Sequence, residues 1–441
     1  MVLTVKNNII IEQPSSAVLD YCDTQLTIDN PTYLIAQKLG KFCNNIPKRT
    51  KLYTVRNGAV IVPFGCLKAI WQICKGATLK TEFHAWHNVY YNKVELYDYQ
   101  QHAVNEMLFA KNGILQAPCG AGKTRMGIAI ISALKGRALW ITHTHQLLNQ
   151  SLDSAKEVLG KDDFGTITEG KVNIGGSITF ATVQTLANTD LNSLKDEFDV
   201  IIVDECHRCV GTPAHAKMFY KVVNNLNARY KYGLTATPKR SDNLECTMFA
   251  LLGDIIHKID KKCVGEKIIG ARYQNIDIDI VYNANDYLDY DGTFMYANLI
   301  NTLAESGERN EIILNNIITN KDRTQIVLCP RREQAKWFYE KLKEYNALLV
   351  LGGGKKDFSE FKKYKIIVAT EQIAKEGLDY QELDTLHLIT PMKNKGMIEQ
   401  CVGRIQRNIA DKQMPIVYDY VDINIPYCVN ASKIKKRICK R

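Results

Sequence analysis

The 441-residue sequence has no apolar run that approaches the roughly 20 residues of a membrane-spanning helix. No segment resembles a secretory signal peptide. The 13 cysteines are an odd number, and they follow no repeating spacing. These absences exclude a membrane-embedded protein and a secreted disulfide-rich scaffold. We therefore expect a cytoplasmic protein with reduced thiols and no membrane partner.

Cysteine pairs at metal-binding spacing are also lacking. Cys206 and Cys209 form a Cys-x-x-Cys, but a zinc site of this type needs a second pair, and none stands at the required spacing. This absence argues against zinc.

The charge of the chain leans to the basic side. Lys and Arg outnumber Asp and Glu by 57 to 47, so the formal net charge is +10. A basic balance suits an anionic partner such as nucleic acid. A generically basic protein without such a partner is equally compatible with the charge alone.

A glycine-rich stretch between an apolar run and a helical pattern is the strongest chemical signal. Such a strand, loop and helix order is the context of a phosphate-binding loop, whose backbone N–H groups and helix N-terminus bind phosphate oxygens. Lys123 is expected to reach the terminal phosphates, and the Thr124 hydroxyl to bind Mg²⁺. The stretch consists of Ala117, Pro118, Cys119, Gly120, Ala121, Gly122, Lys123 and Thr124.

The loop departs from the strict pattern at its first position, where Ala117 replaces glycine. This departure is the one feature that leaves open a degenerate nucleotide site in a non-enzymatic scaffold. Just upstream, Tyr99 and Gln100 suggest an adenine site in which the ring stacks on the base and the amide pairs with its edge. A simple helix start explains the same two residues.

From Val94 onward, apolar strands alternate with amphipathic helices. This alternation predicts a parallel sheet that binds ligands at the carboxyl ends of its strands. Two acids follow one predicted strand: Asp204 is placed to hold Mg²⁺ and Glu205 to activate water, with His207 near the γ-phosphate. The predicted strands of this first unit are 138–142, 177–181, 199–203 and 230–234.

A second alternating unit begins near Thr324 and has no phosphate loop of its own. It carries a run from Gln400 through Arg404 to Arg407. Arginines in a unit without a nucleotide loop are candidates for completing a partner's site as arginine fingers. A helix with a solvated basic face is the plainer interpretation. The predicted strands are 325–329, 347–351, 365–369, 385–389 and 415–420.

These patterns divide the chain into four segments. Residues 1–93 form a small α+β accessory domain, 94–260 a first α/β unit, 261–320 a connection, and 321–441 a second α/β unit with a basic tail. The accessory domain mixes basic residues with Tyr53, Phe64 and Trp71. That mixture is compatible with DNA binding and equally with a solvated face over a small core. Its basic residues are Lys48, Arg49, Lys51 and Arg56.

In their order and spacing, the motifs resemble those of superfamily 2 helicases from about Val94 to Tyr420. The acidic motif is of the DExH form, and the branch it is most similar to is that of UvsW and XPB, in particular phage branch-migration helicases. The matching stretches are Tyr99–Gln100, Ala117–Thr124, Thr142–Gln150, Ala181–Thr185, Asp204–His207, Thr235–Pro238, Val327–Arg331, Val368–Asp379 and Gln400–Arg407.

The resemblance implies two tandem RecA-like lobes that bind ATP and Mg²⁺. Gly377 and Asp379 would contact the nucleotide from the second lobe, together with Gln400, Arg404 and Arg407. Nucleic acid would be held through its phosphates, without sequence preference. The residues implied in nucleic-acid binding are Thr142, Thr182, Gln184, Arg331 and Thr370.

The expected function is that of a monomeric ATP-dependent DNA helicase acting on forked or branched DNA in recombination or repair. In a phage protein it would act in the host cytoplasm. Two alternatives stay open at this point: an RNA helicase, because backbone contacts do not distinguish the two nucleic acids, and the non-enzymatic DNA-binding scaffold.

Overall fold

The computed structural model describes residues 1–40, 42–118, 120–209, 218–238, 245–264, 269–352, 361, 363–371, 373, 380–409 and 412–439. The predicted nucleotide contacts Cys119, Gly377 and Asp379 lie outside the described residues. The chain divides into two compact units, Met1–Cys263 and Val264–Arg441. Each unit is organised around its own sheet.

The N-terminal part of the first unit is a small α+β structure. Its main sheet has the strand order β5-β6-β2-β1-β7, and β3 pairs with β4 beside it. Leu3 and Val5 of β1 and Ile9 and Ile11 of β2 enter its core, because alternate side chains of a strand point to the same face. The elements are β1 (Val2–Val5), β2 (Asn8–Glu12), α1 (Ser16–Gln25), β3 (Thr27–Asp29), α2 (Pro31–Lys38), β4 (Arg49–Lys51), β5 (Thr54–Arg56), β6 (Ala59–Pro63), α3 (Leu67–Ile73) and β7 (Thr78–Thr81).

The hairpin that joins β5 to β6 turns at an Asn-Gly pair. Asn57 and Gly58 have φ values of 49° and 77°. Positive φ at both central residues is the geometry of a tight primed turn, which matches the twist of the paired strands.

The larger sheet of the first unit contains the predicted alternation. Its order is β11-β10-β12-β9-β13-β14-β8-β15, and every pairing except that of β11 is parallel. The elements are α4 (Asp98–Ala110), β8 (Gly113–Gln116), α5 (Lys123–Leu134), β9 (Ala138–Thr142), α6 (His145–Leu159), β10 (Gly165–Thr168), β11 (Lys171–Asn173), β12 (Ile178–Thr182), α7 (Val183–Asn188), α8 (Leu191–Leu194), β13 (Val200–Asp204), α9 (Met218–Asn225), β14 (Tyr230–Thr235), α10 (Glu245–Leu252), β15 (Ile255–Lys258) and α11 (Lys261–Val264).

Helices on both faces bury the strands of this sheet, which is why its central strands are continuous apolar runs. Every residue of β9, β12 and β13 is buried. All four strands predicted here from the sequence are confirmed within about one residue. The short strands β10, β11 and β15 were not predicted, because their polar or interrupted sequences show no clear alternation of apolar and polar residues.

The N-terminal structure packs directly on the larger sheet of the same unit. A Cβ atom at Gly65 would lie 2.4 Å from both Gly253 N and Phe249 O, so the two backbones touch there. The buried Lys231 of β14 donates hydrogen bonds to Asn7 O at 3.3 Å and to Val223 O at 2.9 Å. Burial lowers the pKa of Lys231 to about 7. The accessory segment is therefore a fixed part of the first unit.

The second unit is a six-stranded parallel sheet with the order β16-β21-β20-β17-β19-β18. All five strands predicted for it are present. The elements are β16 (Arg272–Ile278), α12 (Tyr296–Glu305), α13 (Gly307–Thr319), β17 (Gln325–Cys329), α14 (Arg332–Leu342), β18 (Ala347–Val350), β19 (Ile366–Thr370), β20 (Thr385–Leu388), α15 (Lys395–Ile405), β21 (Ile416–Asp422) and α16 (Pro426–Cys439).

Two segments of the second unit differ from the sequence interpretation. The region 261–320 is not only a connection, because β16 pairs with β21 along its whole length and so extends the sheet. The basic C-terminal stretch is not a separate tail through Cys439, because α16 packs into the core. There Lys435 is buried and pairs with Asp419. Both interpretations relied on local sequence composition, whereas contacts with distant segments of the chain decide where these two segments lie.

The positions of the aromatic residues in the accessory domain limit which of them could bind DNA. Tyr53 and Phe64 are buried in the core of the N-terminal structure, and Tyr53 donates a hydrogen bond to Asp23. Neither ring is free to stack on a nucleic-acid base. Trp71 is the exposed one, at 47%. In the part of the chain that the structure describes, no helix combines the length and the apolar character needed to cross a membrane.

The Gly65 contact generates a stability prediction. Gly65→Ala places a methyl group against the backbone of Phe249 and Gly253, so the free energy of unfolding of the first unit should fall by about 1–3 kcal/mol. Thermal unfolding and limited proteolysis measure the effect. Gly307→Ala is the control, because nothing lies within 4 Å of the added methyl. Equal stability of the two variants would refute the close packing of the accessory structure.

Candidate nucleotide-binding site

The predicted phosphate loop connects the end of β8 to the start of α5. Gly120 and Gly122 have φ values of 82° and 80°, a region that side chains disfavour. Gly122 has a second constraint, because a Cβ atom there would lie 2.4 Å from Gln100 Nε2. Thr124 follows Lys123 in the first turn of α5. The loop therefore has the left-handed glycines and the helix N-terminus that phosphate binding needs.

The side-chain amide of Gln100 lies beside the phosphate loop and is hydrogen-bonded within the protein. Its Nε2 donates to Ala121 O at 2.9 Å, and its Oε1 accepts from Tyr97 N–H at 3.1 Å. The side chain is 2% exposed. Both ends of the amide are bonded inside the protein, so in this structure Gln100 holds the phosphate loop in shape. Its predicted contact with the adenine base stays a prediction.

Tyr99 supports the same part of the loop. Its hydroxyl donates to Ala121 O at 3.2 Å. The ring stacks on that of Tyr97, with centroids 6.2 Å apart and planes 6° from parallel, and Tyr97 is exposed. The adenine contact predicted for Tyr99 stays a prediction. The sequence motif contained these residues, but their bonds to the loop depend on how α4 packs.

Lys123 and Ala117 lie at opposite ends of the loop. Lys123 Nζ donates to Ala117 O at 3.2 Å, so the ammonium group lies over the concave side of its own loop. Ala117 N–H donates to Thr235 O at 3.0 Å, and the residue is fully buried. A methyl group is thus accommodated where the strict motif has glycine. The departure at Ala117 leaves the loop intact.

The two adjacent acids lie at the end of β13, as predicted. Asp204 is buried and accepts a hydrogen bond from Glu205 N–H at 2.9 Å. Burial raises the pKa of Asp204, and the neighbouring Glu205 raises it further, while the charge of Lys123 opposes both. Glu205 has a φ of 50°, which is strained for a side chain of its size.

The pKa of Glu205 is shifted in the opposite direction. Burial by itself raises it, but the contact with His207 and the charge of Lys123 outweigh burial and lower the pKa of this carboxyl. His207 Nδ1 lies 3.2 Å from Glu205 Oε2 and 3.1 Å from the Thr235 hydroxyl. Two carboxyls in one site with pKa values moved apart are typical of catalytic centres.

Two contributors to this cluster lack a strong local signal. Thr235, at the end of β14, accepts from Thr237 N–H at 3.2 Å and so links His207 to the following loop. His143 is an electrostatic neighbour of Glu205, and its pKa is lowered to about 4 by burial and by the charge of Arg208. The sequence placed both at strand ends, within the motif stretches Thr142–Gln150 and Thr235–Pro238, but gave no sign of their contacts with Glu205 and His207.

The residues fit a magnesium ion and a nucleoside triphosphate. A buried carboxyl whose charged form is disfavoured, as at Asp204, is stabilised by a nearby divalent cation. Thr124, in the first turn of α5, supplies a hydroxyl oxygen of the type that Mg²⁺ prefers. Lys123 and the loop N–H groups supply the positive charge that phosphates need.

The residues predicted to hold nucleic acid in the first unit lie at one edge of the sheet. Thr142 and Thr182 end the paired strands β9 and β12. Their hydroxyls are buried, with Thr142 donating to Thr144 O at 3.1 Å and Thr182 bonded to Thr185 at 2.9 Å. Gln184 is exposed and donates to His143 O at 2.8 Å. Of the three side chains, Gln184 is the accessible one.

The corresponding residues of the second unit also share a strand edge. Arg331 follows β17 and Thr370 ends the paired strand β19. Arg331 is exposed and donates to Asn301 Oδ1 at 2.7 Å, whereas the Thr370 hydroxyl is buried and accepts from Gly352 N–H at 3.0 Å. Gln400 and Arg404 lie on α15, half-buried, and Arg407 follows its end.

Comparison with known families agrees with this geometry. Residues 93–240 match the model of the type III restriction enzyme res subunit, and residues 308–408 match that of the helicase conserved C-terminal domain. The two matched segments correspond to the two large parallel sheets. This chain belongs to the superfamily 2 helicases.

Three relatives refine the assignment of this helicase. It is 30% identical over 327 residues to a putative ATP-dependent RNA helicase of Acanthamoeba polyphaga mimivirus, covering 71% of this chain and 60% of that one. It is 26% identical to a probable helicase of Escherichia phage T5, covering 70% and 67%. It is 32% identical to the DNA 3'-5' translocase XPB2 of Sulfurisphaera tokodaii, covering 46% and 44%.

The family matches agree with the two RecA-like lobes that the sequence motifs implied, and one of the relatives is an XPB-type translocase. The chain spans 60% of the length of the mimivirus relative. The helicase domains support an ATP-hydrolysing helicase rather than a non-enzymatic scaffold.

The position of Gln100 gives a testable prediction for the helicase. Gln100→Leu removes the partner of Tyr97 N–H and the shorter of the two hydrogen bonds to Ala121 O, which loosens the loop. We expect the KM for ATP to rise about tenfold, which corresponds to about 1.4 kcal/mol. The KM for GTP should rise by the same factor, because the loop contacts phosphates and not the base.

The control for this prediction is Gln101→Leu. Gln101 is exposed and bonds only within α4, to Asn105 at 2.9 Å, so its loss should change neither KM. A rise in the KM for ATP without a rise for GTP would instead assign Gln100 to adenine recognition.

Proposed function

We propose that this helicase is a monomeric ATP-driven motor that translocates on DNA and remodels forked or branched DNA. The observation that carries the proposal is the assembly of the phosphate loop, Asp204, Glu205 and His207 at one edge of one parallel sheet. Support for DNA comes from the UvsW/XPB-like branch, in which a relative is named a DNA translocase. The basic net charge of +10 is consistent with it.

The residues of the first unit have separate roles in hydrolysis. Lys123 binds the terminal phosphates of ATP, while Thr124 and Asp204 hold Mg²⁺. When bound, Mg²⁺ neutralises phosphate charge. Glu205 stays ionised because its pKa is lowered, and an ionised carboxylate accepts a hydrogen bond from water. A weak base of this kind orients the attacking water more than it removes its proton.

The contact of His207 with Thr235 suggests how hydrolysis reaches the rest of the motor. His207 lies within 3.2 Å of both Glu205 and Thr235. A shift of Glu205 during nucleotide turnover would therefore move His207 and, through Thr235, the loop after β14. Motors of this kind convert a local contact into a population shift between conformations. We assign this coupling role to Thr235 and Thr237.

The second unit is proposed to supply arginine charge during turnover. Arg404 and Arg407, oriented by Gln400, are assigned to the charge that builds on the transferred phosphoryl group. The support is indirect: their sequence pattern belongs to a domain that has no phosphate loop. Gly377 and Asp379 remain predicted nucleotide contacts.

Nucleic acid is proposed to bind along the strand edges that carry Gln184 and Arg331. These two side chains are exposed, and Arg331 provides the positive charge that a phosphate needs. Thr142, Thr182 and Thr370 have buried hydroxyls, so their proposed contribution is through backbone groups. Binding by such contacts is independent of sequence and sensitive to salt.

An RNA helicase is the second candidate function, because the mimivirus relative carries that name. Contacts to the phosphate backbone do not separate the two substrates. The experiment measures ATP hydrolysis with single-stranded DNA, duplex DNA, forked DNA and RNA. Stronger stimulation by forked DNA than by RNA supports our proposal, and the reverse order supports the alternative.

Glu205→Gln provides the matching test of the catalytic assignment. The amide cannot carry the negative charge that orients water, so hydrolysis should fall by about 10²–10⁴-fold while ATP and DNA binding persist. Glu157→Gln, at an exposed position on α6, is the control that should hydrolyse normally. Normal turnover by the Glu205 variant would remove this residue from the mechanism.

The accessory structure is proposed to contribute the preference for forks. Replacing Lys48, Arg49, Lys51 and Arg56 with glutamine removes four exposed positive charges from the accessory structure. We expect fork binding and unwinding to fall, with less salt dependence, because fewer phosphates are neutralised. ATP hydrolysis stimulated by single strands should persist.

Substitution is preferable to deletion in this test. Removing residues 1–90 would expose the core shared with Ala250, so loss of activity would not identify a DNA contact. The control neutralises four exposed lysines of the second unit, Lys321, Lys336, Lys341 and Lys343. If the accessory variant unwinds forks as the wild type does, the accessory structure only braces the first unit.

A further inference from the structure

Two histidines of the segment after β7 converge on one carboxylate at the start of β13. His84 Nε2 lies 3.1 Å from Asp199 Oδ1, and His87 Nδ1 lies 3.1 Å from Asp199 Oδ2. Asp199 is 1% exposed, and the histidine side chains are 14% and 28% exposed. The three potential ligand atoms all lie within 4.8 Å of one another.

The carboxylate of Asp199 is fixed in this orientation by backbone groups. Arg137 N–H donates to Oδ2 at 2.8 Å, and His87 N–H donates to the same oxygen at 3.2 Å. The residue is therefore oriented before any imidazole or ion contacts it. Fixed, buried carboxylates are suited to binding cations because little reorganisation is needed.

The second ring nitrogen of His84, Nδ1, takes no part in the contact with Asp199. Its Nδ1 is buried without a hydrogen-bond partner and lies 3.9 Å from Asp196 Oδ1. If a neutral His84 donated from Nε2 to Asp199, the lone pair of Nδ1 would face the Asp196 carboxylate. If Nε2 bound a metal ion, Nδ1 would carry the proton and face that carboxylate favourably.

This second arrangement matches the outer contacts of metal-binding histidines, which direct their other N–H toward a carboxylate. Asp196 is itself held by Asn227 Nδ2 at 2.8 Å. In a tetrahedral zinc site, bonds of about 2.0–2.1 Å place the ligand atoms roughly 3.3 Å apart. The two nitrogen–oxygen separations, each 3.1 Å and to different oxygens of Asp199, are close to this value, and the three ligand atoms lie within 4.8 Å of one another.

We propose that His84, His87 and Asp199 bind a divalent transition-metal ion, with zinc the best match. Two imidazole nitrogens and one carboxylate favour zinc over magnesium, which prefers oxygen ligands. The fourth position is left for water. The ion joins the segment after β7 to the first large sheet, where it fixes the path of the chain toward α4.

This site is separate from the magnesium site of the ATPase. Asp199 precedes the first residue of β13 and Asp204 is its last, so the two carboxylates lie at opposite edges of the sheet. A five-residue strand spans about 17 Å. The role of the zinc ion is therefore structural, and it supports the strand that presents Asp204 and Glu205.

The test uses the full-length chain with any affinity tag removed, since tags bind metal. The chain is stripped with chelator and titrated with Co²⁺ and then Zn²⁺. We expect equimolar binding, visible d–d bands without a thiolate charge-transfer band, displacement by Zn²⁺, and a higher Tm in its presence. The spectrum separates this site from one built on the cysteines.

His84→Gln and His87→Gln should each lose the cobalt bands and the zinc-dependent rise in Tm. His102→Gln is the matched control, because this exposed histidine contacts His257 and lies outside the cluster. Asp199→Asn is avoided, since it also disturbs the backbone bonds of Arg137. The wild-type titration is decisive even if a variant misfolds.

Two results would overturn the proposal. One is the absence of equimolar Co²⁺ or Zn²⁺ binding to the wild-type chain, which would make the cluster a set of hydrogen bonds between imidazoles and Asp199. The other is unchanged binding in a folded His87→Gln variant, which would locate the metal elsewhere.

Discussion

The parallel arrangement of the first large sheet is the constraint on which the active region depends. Because β8, β9, β12, β13 and β14 all run in the same direction, their carboxyl ends meet at one edge. The phosphate loop, Asp204 and Thr235 are brought together there although they are far apart in the chain. A strand running the other way would carry its end residues to the opposite edge. The buried apolar strands fix this direction, and the polar strand ends provide the chemistry.

Contacts from outside the sheet then shape the site. Gln100 and Tyr99 of α4 both bond to Ala121 O, so the loop is held from the side by a helix that precedes it in sequence. Gly122 is needed for its backbone conformation and also because Gln100 approaches so closely. This support is organised before any ligand arrives, which reduces the conformational freedom that binding must remove. The same logic applies to Asp199, which backbone N–H groups hold in place.

The accessory structure is integrated with the first unit through backbone contact and buried polar groups. Gly65 touches Gly253 and Phe249, and Lys231 bonds to Asn7 across the interface. A buried lysine with lowered pKa is costly unless its donors find partners, so this junction is specific as well as stable. It follows that the accessory structure and the ATP-binding sheet do not behave as freely jointed domains.

The sequence by itself determined the two parallel sheets, the phosphate loop and the paired acids, because hydrophobic periodicity and short motifs are local properties. Tertiary structure decided the rest. Gln100 bonds to the phosphate loop, Lys435 is buried in a helix, and β16 belongs to a sheet. His84 and His87 meet Asp199 from more than 100 residues away. These outcomes depend on which distant part of the chain lies beside each residue. Packing of the whole unit decides this, and a local sequence pattern contains no information about it.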